Sequence, residues 1–170
     1  YHITEGPTSW EAEDARGDLG AEHTNDWNKN VSVHLTDRQS SNYSVYIDSL
    51  STIAVGDFTD KINISHVYPK VAQGEEVVKL IRKLRKTWMA TGVTVAVYVA
   101  SSSGKAQYAL VTRYKQGLKE RAEGFRTPFK VAYESVHGEG AYAQYLKDVA
   151  EFVEESWSEL LFLRKDLSSK

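Results

Sequence analysis

Apolar positions recur at helical spacing between Gly74 and Thr91. Val77, Ile81, Leu84 and Trp88 fall at i, i+4, i+7 and i+11 and share one face. Lys79, Arg82, Lys83, Arg85 and Lys86 fill the opposite arc. Glu75 and Glu76 open the segment and the basic residues close it, the order that the helix dipole favours. Gly92 predicts the stop. On the amino-terminal side, Ile62 to Tyr68 alternates with period two and Pro69 ends it, which predicts a strand. Val93 to Ala100 is β-branched and apolar on both faces, a buried strand. A turn at Ser101 to Lys105 leads into a returning strand over Ala106 to Tyr114. Thr127-Pro128 marks a helix start. A long helix is expected from Glu139 to Ser156, with Tyr142, Leu146, Val149, Val153 and Trp157 inward and Tyr145 and Phe152 flanking. Ser158 to Arg164 completes the unit as a last strand. Strand-helix-strand-strand-helix-strand is the ferredoxin-like order.

The first sixty residues read as a shortened copy. Tyr1 to Glu5 is a strand remnant, followed by Gly6-Pro7. Thr8 and Glu11 have capping-box spacing. One helix then runs to Leu35, with His23, Trp27, Val31, His34 and Leu35 on one arc, although Val31 to Leu35 also alternates like a strand. Gly17 and Gly20 weaken that helix by about 1 kcal/mol each relative to Ala. Tyr43 to Asp48 and Thr52 to Phe58 read as a hairpin. The expected organisation is one domain over 1–170, with a shortened half at 1–60 and a complete half at 61–170.

Two such halves, each opening with a strand, a Pro/Gly stop and a Trp-bearing helix, resemble the dimeric α+β barrel proteins. That group includes the antibiotic-biosynthesis monooxygenase-like and NIPSNAP-like domains. His66-Val67-Tyr68-Pro69 followed by Gly74-Glu75-Glu76 resembles their strand-Pro-Gly-helix opening. Leu163-Arg164-Lys165-Asp166-Leu167-Ser168 resembles the Arg-Pro-Asp-Leu-Ser tail of secreted bacterial members, with Lys165 in place of their Pro. The resemblance implies an α+β fold: tandem ferredoxin-like halves forming an α+β barrel, with helices outside an antiparallel sheet. It also implies an exported, periplasmic or secreted bacterial protein and a possible homodimer. It does not imply one chemistry, since these folds host oxygenases, haem-degrading enzymes, decarboxylases and binding proteins.

Composition narrows the chemistry. The 170 residues are 41% hydrophobic and 26% charged, which fits a folded domain and not a disordered chain. No apolar run approaches the length of a membrane span. The chain opens at Tyr1 without a Met, so a processed or trimmed N-terminus is expected. A formal net charge of −2 argues against nucleic acid as a partner, and Lys79 to Lys86 reads as a solvated helix face. The absence of cysteine removes thiol nucleophiles and zinc fingers. Five histidines occur, at 2, 23, 34, 66 and 137, without metal-ligand spacing on a helix. His66 shares a strand face with Ile62, Ile64 and Tyr68, expected to lie beneath the helices. Each histidine reads either as a hydrogen-bonded core residue or as a pocket group, a base or a haem ligand.

Aligning Trp27 with Trp88 sets His23 against Leu84, Gly20 against Ile81 and Arg16 against Val77. The first helix therefore lacks volume where the second fills it, which places a pocket there. Its expected lining is His23, Trp27, His34, His66 and Tyr68. The first functional reading is a protein that holds a small, largely apolar ligand between helix and sheet. No cofactor and no metal are expected. The alternatives are a cofactor-independent monooxygenase or haem-handling enzyme of the same fold, with haem as that reading's cofactor, and a structural dimerisation module.

Overall fold

The computed structural model describes residues 2–4, 6–17, 19–36, 41–101 and 104–168. The chain divides into two compact units, Tyr1–Ser41 and Asn42–Lys170. The first unit carries helices α1 (Trp10–Arg16) and α2 (Gly20–Asn30) and a 3-10 turn at Ser32–His34. Ser9, not Thr8, caps α1, its hydroxyl accepting from the Ala12 amide at 3.1 Å. The single helix expected up to Leu35 is broken twice. Gly17 and Gly20 adopt φ of 58° and 85°, so α1 stops and α2 restarts. Asn30 ends α2, because the β-branched Val31-Ser-Val33 run favours neither continuation nor, alone, a strand. Tyr1 and Glu5 lie outside the described residues, and His2 to Thr4 form no strand.

The second unit holds β1 (Ser44–Tyr46), β2 (Lys61–Pro69), α3 (Gly74–Thr91), β3 (Val95–Ala100), β4 (Tyr108–Arg113), α4 (Phe129–His137), α5 (Ala141–Phe152) and β5 (Val153–Phe162). The five strands form one antiparallel sheet in the order β1-β3-β4-β2-β5, with the helices on one side. From β2 onward this is the ferredoxin-like unit, and β1 extends it at the β3 edge. Residues expected as the partner of β1, Thr52 to Phe58, form no strand. Arg113 claims their carbonyls instead. Its guanidinium donates to Ala54 O at 3.1 Å, to Val55 O at 3.0 Å, to Asp57 O and to the Tyr98 hydroxyl at 3.0 Å. Arg113 is 2% exposed, and the Phe58 ring stacks over it at 4.9 Å.

α3 matches its predicted bounds, and Gly92 closes it in the left-handed conformation with φ of 69°. Val77, Ile81 and Leu84 bury against Val95, Val97 and Leu110, and Trp88 packs at the margin of that core, partly buried. α5 ends four residues earlier than its apolar pattern predicts. From Val153 the chain pairs with Pro69 and continues as β5, because the ladder to β2 captures residues that would extend the helix. Trp157 therefore lies on a strand and Leu146 is 49% exposed. Tyr145 and Phe152, expected at the flank, pack on the core instead. Tyr133, Tyr142, Tyr145 and Phe129 form an aromatic cluster between α4 and α5, with ring centroids 5.1–6.4 Å apart.

Three predictions follow from this packing. Arg113→Met should cost at least about 3 kcal/mol in urea unfolding, because it strands buried carbonyls of the 54–57 segment. Trp88→Ala should cost about 3 kcal/mol, the low end for a large aromatic, because the ring is only partly buried. Burial pushes the phenols of Tyr108, Tyr133 and Tyr145 above their ordinary value of 10. Their protons are thus held more tightly in the folded chain. Their contribution to stability is complete below pH 10 and should fall as pH rises beyond it, which chemical melts at pH 9 and pH 11 would measure.

Candidate functional site

Strand parity decides which side chains meet the helices. On β2, Val67 packs with the α3 core, while Ile62 and Ile64 pack with Ala96 and Val111 on the opposite face. Side chains alternate, so Asn63 and Ser65 face the helices, and His66 and Tyr68 face away. His66 and its strand face were expected beneath the helices, and the structure turns them to the other side. The physical reason is the ladder to β4: Leu110 and Tyr108 pack in the α3 core, and their partners Ser65 and Val67 take the same side.

On that opposite face His66 is fully engaged. Its Nδ1 lies 3.0 Å from Gln107 Oε1 and its Nε2 lies 2.9 Å from Glu159 Oε1. The Trp157 ring stacks on it, with centroids 4.1 Å apart at 18°. A metal ligand or a base needs a ring nitrogen open to its target, and both nitrogens here have protein partners. Tyr68 lies under the Lys105 ammonium, 4.9 Å from its ring centroid. His23 and Trp27 sit one turn apart on α2, with ring centroids 6.5 Å apart, and His34 lies in the 3-10 turn after it. Those three residues belong to the first unit, and His66 and Tyr68 belong to the second. Within its own unit, α2 buries none of its residues.

The helix-facing side of the second unit contains a cavity of about 220 Å³. Its roof is Val77, Leu80, Ile81 and Leu84 of α3 with Tyr145 and Val149 of α5. Its floor is Val67 and Ser65 of β2, Leu110 of β4, and Val153 and Ser156 of β5. α3 and α5 are held over it by Lys83, whose ammonium is 3.2 Å from Asp148, and by Lys70, which donates to Ala150 O at 2.8 Å. The lining is aliphatic except for three hydroxyls. Ser65 Oγ accepts from Asn63 Nδ2 at 3.3 Å. Among the described residues, the Tyr145 hydroxyl has no hydrogen-bond partner. Burial first, then the neighbouring Tyr133 and Tyr142, push its phenol upward, so it stays a neutral donor at ordinary pH.

None of the five expected pocket residues lines this cavity. The sequence signal for it is present in hindsight: Ser65 and Ser156 occupy helix-facing positions, beside Val67 and Val153, where a closed core would carry aliphatic residues. Recognising it requires knowing the parity of both strands and their pairing.

A larger recess of about 410 Å³ opens at the carboxyl end of α3, lined by Thr91, Thr94, Lys115, Glu120 and Arg126 among others. Its polar groups already serve one another. Glu120 accepts from the Gln116 amide and pairs with Arg126. Lys115 pairs with Asp57 at 3.1 Å, Thr91 donates to Thr87 O and Thr94 donates to Arg113 O. These bonds pin a loop, and the smaller apolar cavity is the stronger candidate. Among the described residues no three His, Asp or Glu side chains gather as a metal-binding group, and no helix is long and apolar enough to cross a membrane.

No protein-family model matches the chain, and no curated protein matches it. Among solved structures, the chain is similar to the crystal structure of a "putative monooxygenase" from Lactobacillus acidophilus NCFM. The two share 13% identity at a TM-score of 0.41, and the match covers 90% of this chain and 65% of that one. The chain thus spans less than two thirds of that protein's length, and its functional reading rests on its own residues.

Proposed function

We propose that this protein binds a small, largely apolar molecule in the cavity between α3, α5 and the sheet. The observation that carries this reading is the aliphatic lining of a space of about 220 Å³. A dry apolar cavity of about 150 Å³ is enough to hold benzene, so a single substituted ring or a short branched chain fits here. Burying about 200 Å² of ligand surface at about 25 cal/mol/Å² contributes about 5 kcal/mol. That corresponds to a dissociation constant of about 0.2 mM before any polar contact is added.

Indole is a suitable probe. In an NMR titration, amide signals of Val67, Ile81 and Leu110 should shift and saturate in the millimolar range or below. Leu84→Trp fills the cavity from the α3 side and should weaken indole at least about tenfold while the spectrum keeps its folded dispersion. The reading fails if no saturable shift occurs by about 5 mM, or if Leu84→Trp leaves the titration unchanged.

A further inference from the structure

The floor of the cavity does not end at Ser65. On the helix-facing side of β2 the next residue toward the start of the strand is Asn63, about 7 Å away at two residues' rise. The side chains touch, since Asn63 Nδ2 donates to Ser65 Oγ at 3.3 Å. The strand partners of these positions on β5 are Ser158 opposite Ser65 and Leu160 opposite Asn63. Ser65, Asn63 and Ser158 therefore form a short polar stretch beside the aliphatic cavity, bordered by Leu160. At its far end stands Arg121, whose Nη1 lies 3.3 Å from Asn63 Oδ1 and 3.5 Å from the Tyr114 hydroxyl. Among the described residues Arg121 has no carboxylate partner. It contrasts with Arg126, which pairs with Glu120, and Arg164, which pairs with Asp166. Its fork is held by neutral acceptors and keeps donors over.

Resting on the reading of the cavity as a ligand site, we infer that the ligand is a small monocarboxylic acid. Its apolar body fills the space under α3 and α5. Its chain follows Ser65 and Asn63, and its carboxylate meets Arg121. A guanidinium presents donors in a planar fork that matches a carboxylate, and such charge-assisted pairs are about twice as strong as neutral ones. The distance sets the shape: at about 1.25 Å of advance per bond, about five or six bonds from the apolar group to the carboxylate oxygen span the ~7 Å from Ser65 to Asn63. A carboxylate in direct contact with the aliphatic lining would lose its hydration without compensation, so the body alone enters.

The test compares phenylbutyrate with its neutral counterpart phenylbutanol on the full chain by NMR titration and calorimetry. Phenylbutyrate should bind about tenfold tighter at low salt, and the difference should shrink as salt is raised. Arg121→Gln and, separately, Asn63→Asp should each abolish the preference for the acid over the alcohol. If acid and alcohol bind equally to the unmodified protein, or if both variants keep the preference, the carboxylate assignment is overturned while the apolar cavity stands. If neither compound binds, the cavity reading itself fails and this inference with it.

Discussion

The packing of α3 on β3 and β4 is the constraint from which the rest of the second unit follows. Val77, Ile81 and Leu84 meet Val95, Val97 and Leu110, all buried. Once Leu110 points at the helix, the antiparallel register carries that parity to β2 and β5. Ser65 lies opposite Leu110 and Ser158 opposite Ser65, so the serines are helix-facing by geometry. One residue of slip would reverse every side chain. His66, Tyr68 and Trp157 would then lie under the helices, and the serines would lie on the other side.

The two halves of the helix-facing surface differ in composition. Over β3 and β4 it is mainly Val95, Val97, Leu110 and Tyr108, and α3 seals it. Over β2 and β5 it mixes Val67, Val153 and Leu160 with Ser65, Ser156, Ser158 and Asn63. α5 is only twelve residues long and none of them is fully buried. A short helix over a mixed floor leaves space, bordered by aliphatic side chains of α3 and by Ser65 and Ser156 of the sheet. The buried polar groups elsewhere are committed to structure. Arg113 spends its donors on the 54–57 carbonyls and Tyr98, and Glu120 is spent on Gln116 and Arg126. The Tyr145 hydroxyl lines the cavity without a hydrogen-bond partner among the described residues, and Arg121, exposed beside Asn63, has no carboxylate partner among them.

α3 was legible to the residue because three independent signals agree there: an apolar stripe, acidic residues in the first turn and a glycine at the end. The strands β2, β3 and β4 were legible from alternation and β-branching. The end of α5 was not, because Val149, Val153 and Trp157 suit a helix face and a strand equally well, and the long-range ladder to β2 decides between them. Thr52 to Phe58 carries strand-forming residues, yet a side chain more than fifty positions away takes its carbonyls. In the first unit, the glycines that weaken the helix pattern do break it, at Gly17 and Gly20.

By itself the sequence determined the order of elements from β2 onward, the antiparallel α+β class, the apolar face of α3 and the absence of cysteine chemistry. These are local or compositional, and each rests on contacts within a few residues or on a simple count. Only the tertiary structure decided where the cavity lies. It did so by choosing a strand parity that local alternation leaves open, since a strand with Ile62, Ile64, His66 and Tyr68 on one face and Asn63, Ser65 and Val67 on the other can present either side to a helix. The choice fell to β3 and β4: Val95, Val97 and Leu110 bury under the apolar stripe of α3, and the ladder from β4 to β2 hands that parity to Ser65 and Val67.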